Sequence, residues 1–222
     1  MEHGADLFGI AGIDRFEKAP RGFHPKDIYA NTASVIVFAI GLPTEALFAE
    51  SLVPYSHLNT LAIQKVDQMT FAISTALDRI GVKNVLVPSD DPYEFFDIET
   101  QHGQGILSMR HAAALAGLGR IGRNALLINK DFGNMLQIGA LLTSEILESD
   151  PLADYEVCPP RCMRCLDACP SNALTGTRVV QFNCRQTNAP EHSRGFDLKR
   201  CFECRKVCPH ATGIRHPKTS ST

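Results

Sequence analysis

Apolar residues fall along this chain in three patterns, and each predicts a different kind of element. Residues 34–40 (SVIVFAI) form an unbroken, β-branched run closed by Gly41 and Pro43. Such a run predicts a central strand buried on both faces. From residue 57 to 80 the pattern changes: Leu58, Leu61, Ala62, Val66, Met69 and Ile73 recur at three- and four-residue spacing. That is one face of a long helix, with Met69 in its core stripe and Gly81 as its terminating glycine. Shorter apolar runs at 7–13, 84–87, 125–128 and 135–143 predict further strands. The last two are expected to form a hairpin turning at Phe132-Gly133-Asn134. Pro25 opens a short helix and Ser108 caps another over 109–116. Between them, 89–104 holds Asp90, Asp91, Glu94, Asp97 and Glu99 and is expected to be a solvated loop. Strands and helices in mixed order make residues 1–150 an α/β (α+β) core. Asp150-Pro151 marks the passage to a segment of different character over 151–210, and 211–222 is a polar tail.

That second segment holds all eight cysteines of the chain, in two runs. Cys158, Cys162, Cys165 and Cys169 form the first, and Cys201, Cys204 and Cys208 the second, with Cys184 between them. Both runs end C-x-x-C-x-x-x-C-P. In a two-cluster ferredoxin arrangement the cysteine before proline serves the other cluster. One [4Fe–4S] cluster then takes Cys158, Cys162, Cys165 and Cys208; the other takes Cys169, Cys184, Cys201 and Cys204. The first gap, Pro159-Pro160-Arg161, is one residue longer than usual and sets Cys158 apart. Two zinc sites would also use C-x-x-C pairs but leave the C-P endings without a reason. Disulfides suit small secreted domains, whereas 44% of this chain is hydrophobic, enough for a core of its own.

Charge divides at the same place. Residues 1–157 hold 11 Lys/Arg against 20 Asp/Glu; residues 158–222 hold 11 against 4. A basic segment can signal nucleic acid, but Arg161, Arg164, Arg185, Arg200, Arg205 and Lys206 stand beside the cysteines. Cations there compensate anionic, thiolate-ligated clusters. No apolar run approaches the roughly 18 residues that span a bilayer, so no membrane partner is expected. Met1 to Asp6 does not read as an export signal, and with reduced thiols a cytoplasmic location is expected.

Gly117, Gly119 and Gly122 spell G-x-G-x-x-G. A dinucleotide fingerprint needs a strand before it and a helix after it, and here the order is reversed. The glycines instead predict a tight turn where backbone approaches a flat ligand or a neighbouring element, with Arg120 and Arg123 adding cations.

The block 110–128 (RHAAALAGLGRIGRNALLI), followed by Phe132-Gly133, Leu142-Thr143 and the two cysteine runs, resembles the epoxyqueuosine reductase family, itself related to the reductive dehalogenases. The likeness extends over residues 5–210, with 34–43 and Cys184-Arg185 also matching. It implies a nitroreductase-like core that holds a base-off cobalamin and a ferredoxin-like module that delivers electrons to cobalt. Gly117, Gly119 and Gly122 would form the turn near the corrinoid. Arg110 and His111, set among alanines about one helical turn before it, are expected on the cofactor side, with Arg120 as a cation at the turn. A flavin such as FMN on the same fold is the alternative cofactor, and an electron-transfer protein without its own substrate is the alternative role. The electron donor would be a ferredoxin or flavodoxin; a corrinoid protein is a further expected partner. The family places a catalytic acid thirteen residues before the alanine matching Ala116, where this chain has Gly103. Family members also carry a helical-repeat domain for tRNA, whereas this chain stops at Thr222. The expectation is therefore an iron–sulfur reductase that does not act on epoxyqueuosine in tRNA and has no nucleic-acid partner.

Overall fold

The run at 34–40 does become a central strand, but of an antiparallel sheet. In the computed structural model, which describes residues 4–100, 102–188 and 198–214, β1 (Leu7–Gly12) leads through the short helix α1 (Pro25–Ile28) to β2 (Ser34–Gly41). The long helix α2 (Leu52–Arg79) and β3 (Asn84–Val87) follow, then a small pair, β4 (Phe95–Asp97) and β5 (His102–Gln104). Helix α3 (Met109–Leu115) precedes β6 (Arg120–Ile121), β7 (Leu127–Ile128) and β8 (Leu136–Thr143). Three short helices lie among the cysteines: α4 (Arg164–Asp167), α5 (Gln181–Asn188) and α6 (Glu203–Lys206). The main sheet runs β1-β2-β8-β3, every neighbour antiparallel.

Helices on both faces explain the unbroken apolar pattern of β2. Ile36 and Phe38, with Leu141 of β8, pack against Val66 and Met69 of α2. The alternate residues Val35 and Val37, with Ala140 and Leu142, pack against Ala112, Ala113 and Ala116 at α3. Phe38 is fully buried, a contribution of about 2–3 kcal/mol.

Three sequence expectations are corrected. Helix α2 starts five residues earlier than residue 57, because Ser51 Oγ accepts from Val53 N at 3.2 Å and Pro54 fits the first turn. Its end is as expected: Gly81 N donates to Asp78 O and Val82 N to Leu77 O, with Gly81 at φ +80°. The acidic stretch 89–104 is not all loop, since Phe95 pairs with Gln104 and Asp97 with His102. Nor do 125–128 and 135–143 form a hairpin. Ala125 takes a left-handed conformation (φ 58°) and folds β7 back on β6, which leaves β8 free to fill the sheet between β2 and β3.

A third cluster of buried residues joins the two ends of the chain. Leu47, Tyr55, Ile128 and Met135 share it with Val157, Phe202, Cys208 and Ala211. Among the described residues no helix is long and apolar enough to cross a membrane.

Candidate iron–sulfur and cofactor site

Local helix geometry separates the cysteines into two groups. Cys162-Met-Arg-Cys165 turns into α4, where Leu166 N and Asp167 N both donate to Met163 O, at 2.8 and 3.0 Å. Cys169 lies beyond the end of that helix, just before Pro170. The second run repeats the form: Cys201 and Cys204 flank the start of α6, and Cys208 lies past its end, before Pro209. Helix α5 brings in Cys184. The result is two cavities. Cys158, Cys162, Cys165 and Cys208 line a tight one with Arg123 and Arg164. Cys169, Cys184, Cys201 and Cys204 line one of about 210 Å³ with Tyr55, Arg110 and Phe202. These are the two sets read from the spacing, Cys158 included.

All eight thiols are free of disulfides. Arg123 N lies 3.3 Å from Cys158 Sγ and Ala173 N 3.2 Å from Cys169 Sγ, both as donors. Burial pushes the Cys204 thiol up to about 12, with the facing Cys184 and Cys201 adding to the rise. Burial likewise takes Cys208 to about 11, reinforced by Cys158 and Cys165. Burial raises Cys169 as well, but the N–H donors of Ala173 and its neighbours outweigh it and leave this thiol below its ordinary value. Thiols packed against one another in this way ionise together only when a cationic centre lies between them. Among the described residues no group of three or more His, Cys, Asp or Glu side chains is arranged to hold a single metal ion.

A further open cavity of about 490 Å³ adjoins the second cysteine set. Cys184, Arg110, Arg205, Leu126 and Val179 line both. Arg110 Nη1 donates to Ala125 O at 2.9 Å, and Arg205 Nη1 donates to Asn134 O. Also on the lining, the Tyr93 hydroxyl donates to Asp90 Oδ1 at 2.9 Å. Burial, then the Asp90 charge, pushes that phenol up to about 12. The Arg185 guanidinium stacks over the Tyr93 and Phe96 rings, 5.6 and 5.2 Å from their centroids. Ser89 Oγ and Asn134 Oδ1 line the cavity and are buried without a hydrogen-bond partner.

Gly103 also lines this cavity. Gln181 of α5 grips it from both sides: Gly103 N donates to Gln181 Oε1, and Gln181 Nε2 donates to Gly103 O, each at 3.0 Å. A Cβ on Gly103 would stand 2.8 Å from Arg185 Nη2.

Of the remaining expected cofactor contacts, none lines these three cavities. His111 is exposed, with Nδ1 2.7 Å from Ser108 Oγ. Arg120 pairs with Glu156 at 2.9 Å. Gly117 sits at φ +80° with the Pro151 carbonyl where a side chain would be, while Gly119 and Gly122 press on Ile128. The turn is built for close packing of the protein on itself, with a strand after it and no helix N-terminus. Sequence reasoning missed Ser89, Tyr93, Asn134 and Gln181. They come from separate segments and carry no local motif; Arg185, adjacent to Cys184, gave the one available signal.

No family model matches the chain. An epoxyqueuosine reductase of Staphylococcus aureus is 29% identical over 244 aligned positions, covering 95% of this chain and 62% of that protein. One of Lactococcus garvieae is 33% identical over 119, covering 48% of this chain and 33% of its own length. This chain thus spans less than two thirds of these curated relatives. Among solved structures, an epoxyqueuosine reductase with an epoxyqueuosine-modified tRNA-Tyr stem loop superposes with a TM-score of 0.61 at 18% identity, over 95% of this chain and 62% of that one. A reductive dehalogenase whose structure suggests a B12-dependent mechanism gives 0.67 at 19%, over 93% and 30%. By sequence the chain is a relative of the epoxyqueuosine reductases, and it shares its mixed α/β fold with them and with the reductive dehalogenases.

Proposed function

We propose that this protein is a cytoplasmic iron–sulfur reductase. In this reading its two cysteine sets each hold a [4Fe–4S] cluster, and the open cavity takes a corrinoid on which a substrate is reduced. The observation that carries the reading is the shared wall: Cys184, Arg110 and Arg205 belong both to the second cysteine set's cavity and to the open one. The donor sets fit clusters, being thiols alone, four to a cavity, with backbone N–H groups aimed at sulfur. The open cavity fits a ligand rich in amide groups, since Ser89 Oγ and Asn134 Oδ1 lack partners there. When bound, clusters of this kind supply one-electron transfer, and a corrinoid supplies the reducing metal centre.

The chain's own residues have distinct tasks. Arg110 and Arg205 hold positive charge between the thiolates and the ligand. The Tyr93 hydroxyl holds a proton at the cavity wall. The hairpin of β4 and β5, gripped by Gln181 and Arg185, closes the side of the cavity. Epoxide reduction in tRNA is left out of this reading, because position 103 offers glycine where an acid would be needed to protonate the departing oxygen. The tRNA stem loop bound by the solved reductase runs the other way, so that activity is assayed directly.

The test is anaerobic purification followed by metal analysis and visible spectroscopy. The expected result is about eight iron and eight sulfide per chain, with a cobalamin spectrum that changes on adding protein. Four iron with bound zinc would reject the two-cluster assignment. A flavin spectrum instead would move the reading to FMN on the same fold. Turnover of epoxyqueuosine-containing tRNA above a cofactor-only control, lost on cluster removal, would restore that substrate.

A further inference from the structure

The first cysteine cavity reaches the surface where residues 159–164 cross it. Pro159, Pro160, Arg161, Met163 and Arg164 are exposed, and Met163 shows 43% of its surface to solvent. Arg123 enters the same loop from the glycine turn, donating from Nη1 to Cys162 O at 2.5 Å and lying 3.6 Å from Met163 Sδ. Among the described residues, Arg123, Arg161 and Arg164 form no ion pair. The one acid on α4 is Asp167. An exposed thioether touched by Arg123, with Arg161 and Arg164 exposed on the same loop, has the make-up of a protein-docking centre, where methionine and arginine are enriched. The cavity beneath, lined by Cys158, Cys162, Cys165 and Cys208, is the one assigned to a cluster in the reading above.

The charge division of the chain gives the patch a direction. The acidic residues concentrate in 1–157 and the basic excess in 158–222. A basic excess of this kind beside the patch steers an acidic partner toward it before contact.

We infer that residues 159–164 together with Arg123 form the docking face for an acidic, low-potential one-electron carrier protein. The inference rests on the cluster reading given above. Each encounter moves one electron: the carrier is oxidised by one, the centre held by the first cysteine set is reduced by one, and no bond is made or broken. The second cysteine set, which adjoins the open cavity, lies on the far side of this entry point in the electron path.

The experiment uses the cluster-loaded protein in a stopped-flow apparatus, with flavodoxin hydroquinone as the probe carrier and the methyl viologen radical as a small cationic reductant. Arg161→Glu/Arg164→Glu is compared with the parent and with Arg178→Glu, an exposed arginine outside the patch. The double variant is expected to lower the rate with flavodoxin about tenfold or more at low ionic strength. Rising salt should slow the parent toward the variant. Arg178→Glu should match the parent, and reduction by methyl viologen should not slow in any of the three. Flavodoxin rates within about twofold of the parent, or equal slowing with both reductants, would overturn the docking face while leaving the clusters intact. So would a tRNA stem loop that needs Arg161 and Arg164 for binding while flavodoxin does not. A purified chain without iron would instead remove the cluster reading itself, and the docking face with it.

Discussion

Gly81 and Gly117 share a φ of +80° but not their surroundings. Nothing lies within 4 Å of a Cβ built on Gly81, whereas one on Gly117 would run into the Pro151 carbonyl. Gly81→Ala should therefore cost only the left-handed penalty, about 1 kcal/mol. Gly117→Ala should cost about 3 kcal/mol or more, because backbone must also move. Chemical denaturation of the two variants checks the difference. Tyr93 makes a pH prediction. Its phenol is raised from 10.0 to about 12, so the folded state keeps a proton that the unfolded state has released. Stability from this group is complete below pH 10 and is lost as pH rises from 10 toward 12; Tyr93→Phe should flatten that loss in alkaline unfolding curves. At the cysteines, Cys169→Ser should perturb the EPR signal of the second set and spare the first. The grouping of these cysteines was legible in the sequence because their spacing is a local pattern. Tyr93, Ser89 and Asn134 were not, since only the fold brings them to one cavity.

Elements show the same division between local and non-local causes. The stripe of α2 is local and readable, and only its first turn was misplaced. The β4–β5 pair was hidden inside an acidic stretch, because its support comes from α5, 78 residues away, through Gln181 and Gly103. Gln181→Ala should loosen the pair, with amide exchange at Gly103 about tenfold faster, as expected when one buried hydrogen bond is lost. The place of β8 was hidden for another reason. Its apolar run is the same whether it pairs with β7 or with β2 and β3, and the decision falls at Ala125, whose left-handed turn carries no strong residue signal.

For the whole molecule, the segment after Pro151 shares a buried cluster with the core, Phe202 packing tilted on Tyr55 at 4.1 Å between ring centroids. Loss of metal should therefore be felt throughout. Chelation under reducing conditions is expected to lower the melting temperature by about 10 °C or more, with far-UV circular dichroism falling in one transition. The division of charge between the two parts of the chain was plain in the sequence; the shared core was not, because its members are too far apart along the chain to form a pattern. Finally, the contact between Gly103 and Arg185 bears on how such a protein changes over generations. An aspartate at 103 would meet the Arg185 guanidinium at its first side-chain carbon, and Arg185 is neighbour to Cys184 on the same helix. The clash falls on the far end of a flexible side chain, so Arg185 can turn aside, and an aspartate there would gain an ion pair with it. An acid at 103 is thus one substitution away, and its cost is the stacking of Arg185 on Tyr93 and Phe96.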